Sequence, residues 1–156
     1  MKQKQSLTIL LEAIWWAATA VIVIAVIYPI RRSLPAWPFQ GWNILFTIVL
    51  VTFTRYIFLL RHTFLAQRQV WKIVIILLLF PLTFLLVGGL HEFMTFVEER
   101  TWEPLTGTLP PTEKRAMEAY IWGVMIFFGA GSIVATPILA GRLFLSIWRT
   151  RNRGTV

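Results

Sequence analysis

The chain of 156 residues has no cysteine, no aspartate and only two histidines. The lack of cysteine excludes disulfides, thiol nucleophiles, C-x-x-C redox pairs and cysteine-ligated metals. Without aspartate, and without a G-x-S-x-G or phosphate-loop motif, hydrolysis and phosphoryl transfer have few candidate residues. His62 and His91 stand beside apolar runs that would place them on opposite sides of a membrane, which excludes a bis-histidine haem within one chain. Catalysis is therefore the class of function that the sequence supports least, and we expect no cofactor.

Charged residues are also scarce. They make up 14% of the chain, against 57% hydrophobic residues, and the mean hydropathy is +0.69. Soluble domains have about 25% charged and about 45–50% apolar residues, so this composition predicts an integral membrane protein with a single transmembrane domain over residues 1–156. The net charge of +8 comes from Lys and Arg at the ends of apolar runs. We therefore expect anionic lipid headgroups on the cytoplasmic side as the partner of these charges, and no nucleic acid.

Four apolar runs, residues 7–30, 42–60, 70–90 and 119–145, are each long enough to cross a bilayer. Lipid offers the backbone no hydrogen-bond partner, so each run should form a helix. The predicted fold is an all-α integral membrane protein, an antiparallel bundle of four transmembrane helices. Residues 91–115 are predicted as an outer loop that contains a short amphipathic extracytoplasmic segment. This segment could continue the third helix out of the membrane.

The distribution of positive charge predicts the orientation. With the N-terminus inside, nine Lys and Arg residues lie on the cytoplasmic side and five on the outer side, and Arg55 lies within a span. Both termini should therefore face the cytoplasm, in what we take to be a bacterial inner membrane. The inner residues are Lys2, Lys4, Arg61, Arg68, Lys72, Arg142, Arg149, Arg151 and Arg153, and the outer ones are Arg31, Arg32, Arg100, Lys114 and Arg115.

Two charges lie inside predicted spans. Glu12 is five residues past Leu7 in the first helix, and Arg55 is five residues before Leu60 in the second, which runs the opposite way. At 1.5 Å per residue both lie about 7.5 Å from the cytoplasmic edge, so a structural ion pair is geometrically possible. Two alternatives stay open: the charges could extend separately to the headgroups, or Glu12 could serve transport.

The first two helices each carry a polar stripe. On the first it comprises Thr8, Glu12 and Thr19. On the second, Asn43, Thr47, Thr54 and Arg61 share one sector, which Arg55 and His62 widen. The remaining face of the second helix is apolar and includes Phe46, Val49 and Leu60. We expect it to face lipid, and we expect the almost uniformly apolar third helix at the periphery.

The fourth predicted helix carries small residues and a proline at seven-residue spacing, a pattern that favours close helix approach. The partner helix could belong to this chain or to a second chain. The residues of this helix-packing stripe are Ala116, Gly123, Ala130 and Pro137, with Ala119 and Gly141 nearby.

The outer segment contains a histidine and several glutamates at helical spacing. His91, Glu92, Glu98 and Glu99 would share one helix face and are a possible cation or proton site. The H-E-x-x-H motif is absent, so the spacing is not specific. Alternatively, these carboxylates are solvated or pair with Arg31 and Arg32.

These features favour a non-catalytic accessory or interaction subunit of a membrane complex, which would bind another membrane protein or itself. The first alternative is a small oligomeric transporter or channel that uses Glu12. The second is a membrane enzyme or metal site at His91 and Glu98. A cavity that reaches Glu12 would favour transport, a metal at His91 would favour the enzyme, and an exposed small-residue face would favour the accessory role.

Overall fold

A computed structural model of the chain describes residues 2–60, 63, 65 and 68–152, with side chains from residue 9 onward. This part of the chain is made of helices, and four of them are long and apolar enough to cross a membrane. The prediction of four potential membrane-spanning helices is thus confirmed. The elements are α1 (Lys2–Ser33), α2 (Gln40–Leu59), α3 (Gln69–Arg100), the short α4 (Glu103–Thr106) and α5 (Pro111–Asn152).

Residues 91–115, predicted as an outer loop, are largely helical. Helix α3 continues to Arg100 and ends where Thr101 adopts a positive φ of 56°, which a helix cannot accommodate. Helix α5 begins at Pro111, a residue suited to a first turn because its missing N–H would have no partner there. Between them, the Thr106 hydroxyl donates to Glu118 Oε1 at 2.7 Å and so ties α4 to α5.

Helix α5 packs against both α2 and α3, and α1 packs mainly against α2. Side chains that the sequence pattern placed toward lipid are buried in this core, among them Phe46 and Val49 of α2 and Leu60, which follows its last residue. That expectation is wrong. Apolar side chains are equally compatible with lipid and with a helix interface, so hydropathy does not select the face that packs.

Helix α1 has the weakest packing of the four long helices. Among its described side chains only Thr19, Ile27 and Ile30 are buried. Helix α3, expected at the periphery, buries one face that includes Leu86 and Phe93. The peripheral helix is therefore α1 rather than α3.

One close approach between α2 and α3 depends on a glycine. A Cβ added at Gly89 would lie 2.4 Å from the Trp42 ring, whereas one added at the neighbouring Gly88 would meet nothing within 4 Å. The Trp42 indole N–H also donates to Glu92 Oε2 at 3.0 Å. Gly89 is thus the position at which the tryptophan packs onto the α3 backbone.

Candidate functional site

The structure brings the two intramembrane charges into contact. Arg55 Nη2 of α2 lies 2.8 Å from Glu12 Oε1 of α1, and the two side chains are 6% and 18% exposed. Both helices are built of apolar residues, so each charge gains electrostatically by facing its partner instead of lipid. The contact connects α1, the weakly packed helix, to the rest of the protein.

Aromatic rings complete the surroundings of Arg55. Its guanidinium carbon lies 5.6 Å from the centroid of the Trp15 ring and 5.5 Å from that of Tyr56, within the range of cation–π attraction. The guanidinium is therefore enclosed by the protein and does not extend along the surface, as independent snorkelling would require. The sequence pattern did not predict the contact between Trp15 and Arg55.

The hydrogen bonding of the pair is incomplete. The 2.8 Å contact is not an aligned hydrogen bond, because Glu12 Oε1 and Arg55 Nε are both buried without a hydrogen-bond partner. Arg55 also lines a cavity of about 200 Å³ with mostly apolar walls. Chemically, the arrangement neutralises two charges within a span and leaves one buried N–H donor, Arg55 Nε, without a partner. The lining residues are Leu11, Trp15, Arg55, Leu59 and Thr63.

The polar stripes mainly bond to their own helices. The Thr19 hydroxyl donates to Trp15 O at 2.8 Å, and that of Thr47 donates to Asn43 O at 2.8 Å. Such bonds to the carbonyl one turn earlier satisfy a hydroxyl within a single helix. The Asn43 amide is buried with no partner for its nitrogen or its oxygen, and Thr54 is exposed. The remaining members, the Thr8 side chain, Arg61 and His62, lie outside the described residues.

The possible cation site is only partly assembled. His91, Glu92 and Glu99 line one open hollow of about 510 Å³, and Glu98 does not. Within residues 9–60, 63, 65 and 68–152, no three His, Cys, Asp or Glu side chains are grouped so that they could hold a metal ion. The Glu92 carboxylate instead accepts the bond from Trp42. The pairing of these acids with Arg31 or Arg32 is likewise not found among the described ion pairs.

The predicted stripe of small residues is not the face through which α5 packs inside the chain. Ala116, Ala119, Gly123, Pro137 and Gly141 are exposed, Ala130 is half-buried, and a Cβ at Gly123 or Gly141 would meet nothing within 4 Å.

The intramolecular contacts lie on the opposite side of α5, where Met125, Ser132 and Leu139 are buried. A Cβ at Gly129 or Gly131 would come within 2.9 Å of Leu90 or Leu50 respectively. These glycines are offset from the predicted stripe, so the seven-residue spacing does not identify the intramolecular contact. A contact between the predicted stripe and a second chain stays a prediction.

The sequence analysis also missed hydrogen bonds that connect α5 to the start of α3 and to the last turns of α2. Lys72 is fully buried and donates to Ser146 Oγ at 3.0 Å, which joins α3 to α5. Arg142 Nε donates to Ile57 O at 3.2 Å, which joins α5 to α2. Sequence reasoning counted both cations only as inner-side charges. Their position within or beside apolar runs was the available signal for contacts between helices.

Comparison with protein-family models, with curated proteins and with solved structures finds no match to this chain.

Proposed function

We propose that this membrane-embedded chain is a non-catalytic accessory or interaction subunit, built as an antiparallel four-helix bundle. The contacts between successive spans support the antiparallel arrangement. Glu12, early in α1, meets Arg55, late in α2. Trp42, early in α2, packs on Gly89, late in α3. Successive spans thus meet at opposite ends of their sequences.

The bundle lies in a bacterial inner membrane with both termini in the cytoplasm, as the nine-to-five distribution of Lys and Arg favours. Anionic headgroups then face the inner cations. The end of α3 forms the amphipathic extracytoplasmic segment. In support of this, Phe93 is buried while Glu98, Glu99 and Arg100 are exposed.

The accessory role rests on one observation: α5 has one face that packs inside the chain and an opposite face of small residues that is exposed. One face, which includes Met125, Ser132 and Leu139, is buried, and Gly129 and Gly131 lie at its two edges against side chains of α2 and α3. The other carries Gly123, Pro137 and Gly141 at the surface. Small residues let helix backbones approach closely. Such close packing promotes helix association in lipid, where burying apolar side chains gives no hydrophobic driving force. The exposed stripe is therefore suited to a transmembrane helix of a partner protein or of a second copy.

The test compares leucine substitutions on the two faces of α5. Gly123→Leu and Gly141→Leu should release the partner and leave the unfolding midpoint of the isolated chain within experimental error, because both positions are open. Gly129→Leu should instead lower that midpoint, because Leu90 and Phe46 occupy the space. Partner binding is measured by native mass spectrometry of complexes extracted in mild detergent, and stability by thermal unfolding. A complex that survives both stripe substitutions would exclude this surface as the interface.

Transport through Glu12 is the second candidate. It is favoured by the 18% exposure of Glu12. The cavity of about 200 Å³ beside Arg55 does not add support, because Glu12 is not among the residues that line it. Against it, the counter-charge at 2.8 Å neutralises the carboxylate that a cation would need. A thermodynamic cycle on the pair, described in the Discussion, separates the two roles.

A further inference from the structure

A second surface feature lies at the other end of α1, between α1 and α2. It is a groove of about 510 Å³ whose walls are mainly apolar. Val23, Ile24 and Ile27 form its α1 side, and Ile44 belongs to its α2 side. Ile24 is 64% exposed although it lies within a membrane span. The groove therefore opens toward lipid, along the helix whose packing is weakest.

One end of this groove is positively charged. Arg31 and Arg32, in the last turn of α1, belong to its lining. Both arginines are exposed, and neither has an ion-pair partner in the described part of the chain. Gln40, the first residue of α2, also lines this end, and the N-cap residue before it provides no side-chain cap. The free N–H groups of the first turn of α2 add partial positive charge beside the two guanidinium groups.

The length and the charge of the groove describe its occupant. From Val23 to Arg31 the helix rises by eight steps, or about 12 Å along the axis. A flexible hydrocarbon chain can lie along the apolar walls over this length, and a charged headgroup can end it beside the two arginines. The occupant must thus be apolar over about 12 Å and anionic at the end that meets the arginines.

We propose that this groove is a binding site for an anionic glycerophospholipid. Its acyl chain lies along Ile24, Ile27 and Ile44, and its phosphate is bound by Arg31 and Arg32. Guanidinium groups suit this role because they can donate two parallel hydrogen bonds to a phosphate. A zwitterionic lipid would fill the groove equally well but would bring its own cation to a positively charged end. The site therefore discriminates by headgroup and not by chain.

The experiment measures lipid retention by native mass spectrometry of the full-length protein in a neutral detergent. Phosphatidylglycerol and phosphatidylcholine with identical acyl chains are added in equal amounts, and the ratio of the two bound species is recorded. The wild-type protein should retain phosphatidylglycerol preferentially. Each arginine should contribute about fivefold to this preference, so that Arg31→Gln/Arg32→Gln lowers the ratio by up to about twenty-five-fold.

Matched variants separate the site from general surface charge. Arg31→Lys/Arg32→Lys keeps the charge and should keep most of the preference. Ile24→Trp fills the groove and should lower the retention of both lipids, whereas Ile138→Trp, at an exposed position of α5, should not. Arg115→Gln removes an exposed arginine outside the groove and should leave the ratio unchanged. Circular dichroism and a thermal melt verify that each variant is folded.

Three outcomes would overturn the proposal. Equal retention of the two lipids by the wild type would show that the headgroup is not recognised. An equal loss of preference in Arg115→Gln and in the double glutamine variant would indicate non-specific attraction by the basic surface. Lipid retention unchanged in Ile24→Trp, or a protein partner bound in the groove in place of lipid, would exclude the acyl-chain site.

Discussion

The ion pair between α1 and α2 gives the sharpest prediction about how the helices are held together. Glu12→Met and Arg55→Met each replace one charge by an apolar side chain of similar length and leave the other charge unpaired within a span. Because the remaining group is at most 18% exposed, each single variant should lose about 1–3 kcal/mol of unfolding free energy. Arg55→Met also removes the contacts with the Trp15 and Tyr56 rings.

The double variant should lose less than the sum of the two single losses, because replacing both members of a buried pair leaves no unpaired charge within the span. Contacting residues couple by about 0.5–3 kcal/mol, and polar contacts between transmembrane helices average about 0.6 kcal/mol. The 2.8 Å contact lacks an aligned hydrogen bond, which argues against the top of this range. We expect a coupling free energy of about 1 kcal/mol for the pair formed by Glu12 and Arg55.

The measurement is reversible unfolding in mixed micelles of mild detergent and dodecyl sulfate, followed by circular dichroism for the wild type, the two single variants and the double variant. The pair of Lys114 and Glu103 is the internal control. Its side chains are 26% and 71% exposed, so solvent should limit its coupling to about 0.5 kcal/mol or less. Strictly additive losses at Glu12 and Arg55 would refute the structural pairing and favour a separate role for Glu12, such as transport.

Two further predictions concern packing and orientation. Gly89→Ala should lower the free energy of unfolding by about 1–3 kcal/mol because its Cβ overlaps the Trp42 ring, while Gly88→Ala should be neutral or stabilising; a loss of the same size at both glycines would contradict the contact. In intact cells, an impermeant thiol reagent should label a cysteine introduced at Thr106 and not one introduced at Gln5, as expected for an outer α4 and a cytoplasmic N-terminus. The reverse labelling pattern would invert the proposed topology.

The helices and the charge contact could be predicted from the sequence for simple reasons. Lipid leaves the backbone no alternative to a helix, so each of the four apolar runs defines an element. Charges in such runs are few and costly, so equal depth was enough to suggest that Glu12 and Arg55 meet. The conformation of residues 91–115 was harder to predict, because their mixed polarity is compatible with a loop and with the helical extension to Arg100 that the structure has.

The choice of packing face could not be predicted in the same way. In water, burial of apolar surface identifies the inner face of a helix, but in lipid the apolar residues of α2 gain little by facing either way. The core positions Phe46 and Val49 were therefore assigned to lipid. On α5 the seven-residue spacing selected Gly123, whereas the intramolecular contact uses Gly129, six residues further on. Shape complementarity with particular side chains of the partner helix decides which face packs. The residue spacing within one helix gives no information about that partner.

The same physics explains why polar contacts matter most for α1. This helix buries little apolar surface. Van der Waals packing alone therefore only weakly determines its rotation about its own axis and its height, that is, its position along α2. Two polar contacts fix both: the pair of Glu12 and Arg55 near one end, and the bond that the Tyr120 hydroxyl donates to Val26 O at 3.0 Å near the other. A variant with methionine at both charged positions can therefore recover part of the lost unfolding free energy and still lose the native rotation and height of α1. Because the groove that ends at Arg31 is formed by the relative placement of α1 and α2, we infer that the ion pair specifies geometry more than it adds stability.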